Sequence, residues 1–217
     1  MDERRDVIET RVLPVTDEST AEAVRILSAG GLVAFPTDTV YGVGAHAFQP
    51  QAVEKIYAAK IRPRGKAIPL LLATPDDLSL VVEGVPPVAH LLAERFWPGG
   101  LTLVFRKRAI VSAAVSPGPT VAVRVPDHPV TQALIAALGA PLAATSANLA
   151  GNPSPVTAQE VVWELAARIE LILDGGPCPG GIPSTVLDLT TDPPTILRSG
   201  AIAEEDIRDI LPSLQRG

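Results

Sequence analysis

The sequence predicts an α/β protein in which amphipathic helices cover a largely buried sheet. Three observations predict it. Short apolar runs, such as residues 32–35 and 171–174, read as buried strands; segments with apolar residues at helical spacing alternate with them; and Gly, Pro and helix-capping residues stand between the two. With 217 residues, 47% hydrophobic and 19% charged, the chain can bury one sizeable core, and a single domain over 1–217 is expected.

The elements follow in order. Ser19 and Glu22 have capping-box spacing, Val24, Ile26 and Leu27 supply an inner face, and Gly30-Gly31 stops this first helix. Residues 32–35 (LVAF) then form a strand, residues 50–60 a helix with Val53, Ile56 and Tyr57 on one side, and residues 69–73 another strand. The pattern continues with helix 87–96, strands 101–105 and 121–125, helix 129–138 and strand 142–144. Thr157 and Glu160 form a second capping box before a helix reaching Arg168. Strands 171–174, 185–189 and 195–198 and a last helix over 204–211 complete the chain. No fixed repeat and no long Gly/Ser or charged linker divides it. Trp97-Pro98-Gly99 reads as a packing aromatic and a turn. Ligands of open α/β sheets sit beyond the carboxyl ends of strands, where the loops FPTDT, ATSAN, LDGG and LRSG fall, so these four loops are expected to meet at one cleft.

Composition and missing motifs exclude several functions. A net charge of −6 argues against a protein whose main task is gripping a polyanion. The start, MDERRDVIET, lacks the apolar core of a secretory signal. The densest apolar stretch, 133–144, is interrupted by Gly139 and Pro141 and falls short of the roughly 20 residues a bilayer span needs, so no membrane association and a cytoplasmic location are expected. Cys178 is the only cysteine, which removes an intramolecular disulfide and a Cys-based zinc cage and leaves an incidental thiol in a loop. His46, His90 and His128 lack metal-ligand spacing, and no protein metal site is expected. Neither glycine-rich phosphate fingerprint is present; GVGAHA at 42–47 carries only half of one. GxSxG is absent as well, so Ser146 and Ser184 lack the local signature of a nucleophile.

Two neighbouring loops carry the chemistry. FPTDTVYG at 35–42 offers Thr37, Asp38, Thr39 and Tyr41, and AAKIRPRGKAIP at 58–69 offers Lys60, Arg62, Arg64 and Lys66. Guanidinium and ammonium groups beside hydroxyls suit a small ligand carrying phosphate together with an amino or carboxylate group. Singly, the same residues read as a solvated basic turn, as turn-forming threonines, and as an Arg124 paired with Asp127.

Taken in order, FPTDTVYGVG, AAKIRPRGKAIPLLL, RFWPGGLTLVF, VAVRVPDHP, ATSANLAG, DGG with PSTVLDLT, and ILRSGAI resemble the YrdC-like family over about residues 30–201. The resemblance implies a twisted mixed α/β sheet with helices on its faces and a concave basic cleft. It implies a nucleotidyltransferase, an L-threonylcarbamoyladenylate synthase, which condenses L-threonine, bicarbonate and ATP to L-threonylcarbamoyl-AMP and pyrophosphate, with Mg2+ held mainly by the ATP phosphates. The product feeds the threonylcarbamoyladenosine modification of tRNA, so tRNA and the threonylcarbamoyl transferase proteins are candidate partners. By motif, Lys60 and Arg62 are the catalytic pair facing phosphate and carboxylate. The resemblance likewise implies that Thr37, Thr39, Tyr41, Arg62 and Arg124 line the threonine pocket and that Lys60, Ser146, Asn148, Ser184 and Arg198 contact the nucleotide.

The chain departs from the family's pattern at Ile68, where many relatives carry His or Asn, so a polar contact made there is missing. An end at Gly217 points to the family's short form. An RNA-binding translation factor of the same fold is the alternative reading; a carbamoyl-transfer module of the hydrogenase-maturation type would need cysteine pairs that one Cys does not supply.

Overall fold

The computed structural model describes residues 8–217; residues 1–7, within the stretch that lacks a secretory signal, lie outside the described residues. The elements are β1 (Arg11–Pro14), α1 (Asp17–Ser28), β2 (Val33–Phe35), β3 (Gly42–His46), α2 (Pro50–Lys60), β4 (Leu70–Leu71), α3 (Leu78–Val81), α4 (Pro87–Phe96) and β5 (Leu101–Arg106). They continue with β6 (Thr120–Arg124), α5 (Pro129–Leu138), β7 (Leu142–Ser146), α6 (Ala158–Leu165), β8 (Leu171–Asp174), β9 (Thr185–Asp188), β10 (Thr195–Arg198), α7 (Glu204–Arg208) and β11 (Gln215–Arg216). All the strands join one twisted sheet in the order β1-β8-β2-β3-β7-β4-β6-β5-β9-β10-β11. The sheet is mixed: β1/β8, β8/β2, β4/β6, β5/β9 and β10/β11 run parallel, and the other neighbours antiparallel.

Strand alternation sends successive side chains to opposite faces. On one face Leu101, Leu103 and Phe105 of β5, Val121 and Val123 of β6 and Ile172 of β8 form the main core with α2, α4 and α6. On the other, Val33 and Phe35 of β2 and Leu171 and Leu173 of β8 pack under Ala23 and Leu27 of α1 and Leu134 and Ile135 of α5. Those two helices cover only part of that face. Gly42 and Gly44 of β3 make room there for the Phe35 ring, since a Cβ on either would stand 3.0 Å from it.

Helices 50–60, 87–96 and 129–138 have the bounds their patterns predict, and each carries Pro at its first turn. The second capping box also forms: Thr157 Oγ1 accepts the Glu160 N–H at 3.2 Å and Glu160 Oε2 the Thr157 N–H at 3.1 Å. The first box is displaced. Thr16, not Ser19, is the N-cap of α1; Ser19 is its partner in the box, and the inner face is Ser19, Ala23 and Leu27, with Val24 and Ile26 half-buried. A hydroxyl serves at either position of the box, so spacing alone does not separate the two frames. The helix after Thr157 stops at Leu165, because Ala166 is extended and Ala167 has φ +60. The last helix covers only Glu204–Arg208. β3 is a strand where the sequence reads as half of a glycine motif, and the edge strands β1 and β11 carry no buried run to announce them. Among the described residues no helix is long and apolar enough to cross a membrane.

Candidate active site

A cleft of about 650 Å³ occupies the part of the sheet face that α1 and α5 leave uncovered. Thr102 and Val104 of β5, Thr120, Ala122 and Arg124 of β6, and Ala144 and Ser146 of β7 line its floor, as alternate residues of a strand must. The cleft therefore lies across the sheet, not beyond the strand ends as the open-sheet rule predicts. Loops close its rim with Thr37, Thr39, Arg62, Lys66 and Ser184, joined by Arg198, the last residue of β10. FPTDT, ATSAN and LRSG reach it, but LDGG does not. No lining residue is acidic.

Arg124 organises one wall. It is 6% exposed, and its Nε donates to Gly99 O (2.8 Å), Nη1 to Thr39 Oγ1 (2.9 Å) and Nη2 to Asp38 Oδ1 (2.6 Å). Its carboxylate partner is thus Asp38, from the FPTDT loop, and not Asp127, whose N–H donates to the same Asp38 oxygen at 3.1 Å. Thr37 Oγ1 donates to Val40 O at 2.6 Å and accepts the N–H groups of Thr39 and Val40, so its proton is committed to its own turn. With the Thr37 proton spent, Thr39 Oγ1 is the donor across the 3.0 Å contact to Thr37 Oγ1, and beside the Arg124 donor it keeps one lone pair for a ligand hydroxyl. Thr131 of α5 holds the loop from behind by donating to Pro36 O at 2.5 Å.

Arg198 organises the opposite wall. Its Nε and Nη2 donate to Ser184 O at 3.1 and 2.7 Å, and Nη2 also to Ser184 Oγ, which lies 2.8 Å from Thr102 Oγ1. Burial, then the charges of Arg124 and Arg62, push the Arg198 guanidinium down from its ordinary range, as expected where cations converge. Among the described residues Arg62, Lys66 and Arg198 form no ion pair with a carboxylate. This wall depends on Gly200: a Cβ there would fall 2.2 Å from Pro183 O and 2.5 Å from Ser184 C. Gly200→Ala should lower the unfolding free energy in denaturant by about 1–3 kcal/mol and displace Ser184 and Arg198 together, visible as weaker anion binding.

Three residues expected in the pocket lie behind its walls. Lys60 is 1% exposed, and its Nζ donates to the carbonyl oxygens of Ser146 and Asn148; burial, then the charge of Arg62, lowers its ammonium to about 7. Its nitrogen therefore props the Ser146 wall from beneath, because α2 ends with Lys60 turned inward. Tyr41 is fully buried: its OH donates to Gly176 O at 2.8 Å, and burial raises it to about 12. Asn148, 5% exposed, donates from Nδ2 to Leu149 O and Asn152 O, while its Oδ1 has no donor among the described residues. Ile68 packs in the main core and does not line the cleft. Cys178 is a buried loop thiol that burial raises to about 11. Thr102, Thr120 and Ser116 are not among the expected site residues; the alternation of β5 and β6 is the signal that marks Thr102 and Thr120.

The Sua5/YciO/YrdC family model, described as "Telomere recombination", matches residues 25–200. A threonylcarbamoyl-AMP synthase of Pyrococcus abyssi is 42% identical over 194 residues, 89% of this chain and 57% of the relative. The Bacillus subtilis threonylcarbamoyl-AMP synthase is 44% identical over 204 residues, 93% of this chain and 59% of the relative. The chain thus spans 57% and 59% of the length of these curated relatives. The crystal structure of P. abyssi Sua5 complexed with L-threonine superposes with a TM-score of 0.91 at 39% identity, covering 97% of this chain and 62% of that one. Shared fold, matched length and sequence identity agree: the chain belongs to the Sua5/YciO/YrdC family.

Proposed function

We propose that this chain, acting as one YrdC-like domain, condenses L-threonine, bicarbonate and ATP to L-threonylcarbamoyl-AMP, pyrophosphate and water. The observation that carries the reading is the cleft in which Arg62, Arg124 and Arg198 converge with Thr37, Thr39, Ser146 and Ser184 and no lining carboxylate. The cleft is in this reading positively charged and sized for an amino acid beside a nucleotide. Arg62 and Arg198 face the phosphates and the threonine carboxylate, where paired guanidinium donors match oxyanions. Arg124 orients Thr39 toward the threonine hydroxyl.

Chemistry then needs alignment more than a covalent intermediate. The threonine nitrogen bonds to the carbon of bicarbonate-derived carbon dioxide and loses a proton. The resulting carbamate oxygen attacks the α-phosphorus, the bond to the bridging oxygen breaks, and pyrophosphate leaves with the electron pair. Positioning and cationic stabilisation of the phosphoryl group supply the acceleration. Mg2+ enters as MgATP; among the described residues no group of three or more His, Cys, Asp or Glu is placed to cage a metal ion, which suits an ion held by phosphate oxygens and water. The adenylate is then passed to a transferase that modifies tRNA.

Purified protein given threonine, bicarbonate and MgATP should release pyrophosphate only when threonine is present, with the adenylate detected by mass; threonine-independent release, or none, removes the reading. Serine, lacking one methyl, should be rejected by only about 1–3 kcal/mol, whereas valine, lacking the hydroxyl that Thr39 meets, should be rejected by about 10⁴-fold. Equal turnover of threonine and valine would remove the pocket assignment.

A further inference from the structure

We propose that Tyr57 is a positioning residue for Arg62: its hydroxyl changes acceptor as the guanidinium turns from its own loop into the cleft. This rests on the reading of Arg62 as an anion-binding group. Tyr57 lies on α2, 4% exposed, with its OH 3.1 Å from Lys66 O and 3.0 Å from Ala114 O. Both partners are acceptors and a phenol has one proton, so one carbonyl is served at a time. Burial raises the Tyr57 hydroxyl and keeps that proton on it, although the nearby Arg62 charge opposes the effect.

Lys66 O has a second donor, and that donor is Arg62. Arg62 Nε reaches it at 3.3 Å and Nη2 donates to Ala67 O at 2.9 Å, so the guanidinium is folded back on the basic loop while still lining the cleft. The loop is fastened at its start by Arg62 N–H to Tyr57 O (2.9 Å) and at its end by Ile68 N–H to Val115 O (2.8 Å). Between these points the tyrosine hydroxyl ties it to the loop carrying Ala114. An anion in the cleft would draw Arg62 off Lys66 O. Lys66 is exposed, so losing Arg62 costs that carbonyl little; the Tyr57 proton, with its oxygen 3.1 Å away, can pass from Ala114 O to Lys66 O and keep the loop tied to α2 while the guanidinium is turned into the cleft. Half-buried Ala114 can take water instead.

A double-mutant cycle on the full chain tests this, with Tyr57→Phe and Arg62→Ala singly and together. Calorimetric binding of inorganic tripolyphosphate is read beside threonine-dependent pyrophosphate release. Tyr57→Phe alone should weaken tripolyphosphate binding about 5- to 20-fold and raise the KM for MgATP similarly with little change in kcat, at a thermal midpoint near that of the wild type. In the Arg62→Ala background the same change should do nothing further. Equal losses in both backgrounds, no loss in either, or no tripolyphosphate binding by the wild type overturns the proposal. Tripolyphosphate binding without threonine-dependent release would instead sink the synthase reading, and the binding cycle would still decide the role of Tyr57.

Discussion

Arg124→Ala should abolish threonine-dependent pyrophosphate release, by at least about 10³-fold, and lower the unfolding free energy by about 3–5 kcal/mol. The guanidinium is buried and its three donors fix Gly99, Thr39 and Asp38 at once. Removing it leaves the largely buried Asp38 carboxylate facing a void, and such an uncompensated charge is the expensive outcome. Thr39 loses the donor that orients it, so the pocket suffers along with the fold. Arg124→Met combined with Asp38→Asn separates the two effects: it should recover most of the stability, since no buried charge remains, and none of the activity. Urea unfolding and the pyrophosphate assay read the two arms. Turnover surviving in Arg124→Ala would remove Arg124 from the site.

Lys60→Met should have the next largest effect, through the backbone. The carbonyl oxygens of Ser146 and Asn148 would lose their donor while buried, at about 1–3 kcal/mol each. The Ser146 wall would shift, and a displacement of about 1 Å in a positioning site lowers turnover by about 10²-fold. The pH dependence carries a sign. Burial holds the Lys60 ammonium near 7, below its ordinary 10.5, so between these values the unfolded chain binds a proton that the folded chain has released. Wild-type stability, measured against Lys60→Met, should therefore rise from pH 7 toward pH 10.5 and be level below 7. A neutral amine keeps two N–H donors, enough for both carbonyls. Unfolding curves at pH 6, 7.5 and 9 check this; a stability difference that stays level across this range would show that Lys60 is held as a cation.

The elements most legible in the sequence are those defined within one turn of themselves. Helices 50–60, 87–96 and 129–138 carry Pro at their first turn and an apolar face whose spacing is complete inside each segment. β3 was not legible, because its small residues are chosen for the Phe35 ring across the sheet. The site divides in the same way. Arg62, Arg124, Ser184 and Arg198 reach the cleft from the motifs that mark them, whereas Tyr41, Lys60 and Asn148 sit in equally marked loops and face inward. A motif states which residue types are present and in what order, not the side to which each chain segment turns.

Local pattern therefore determined the α/β class, several helix bounds and the family, since caps, periodicity and motif order are all written in neighbouring residues. Tertiary structure alone decided that β8 lies between β1 and β2, that α1 and α5 cover only part of one sheet face, and that Asp38 meets Arg124 across 86 residues. Those outcomes depend on long-range packing and on where a buried charge finds a partner, two balances that no single segment contains.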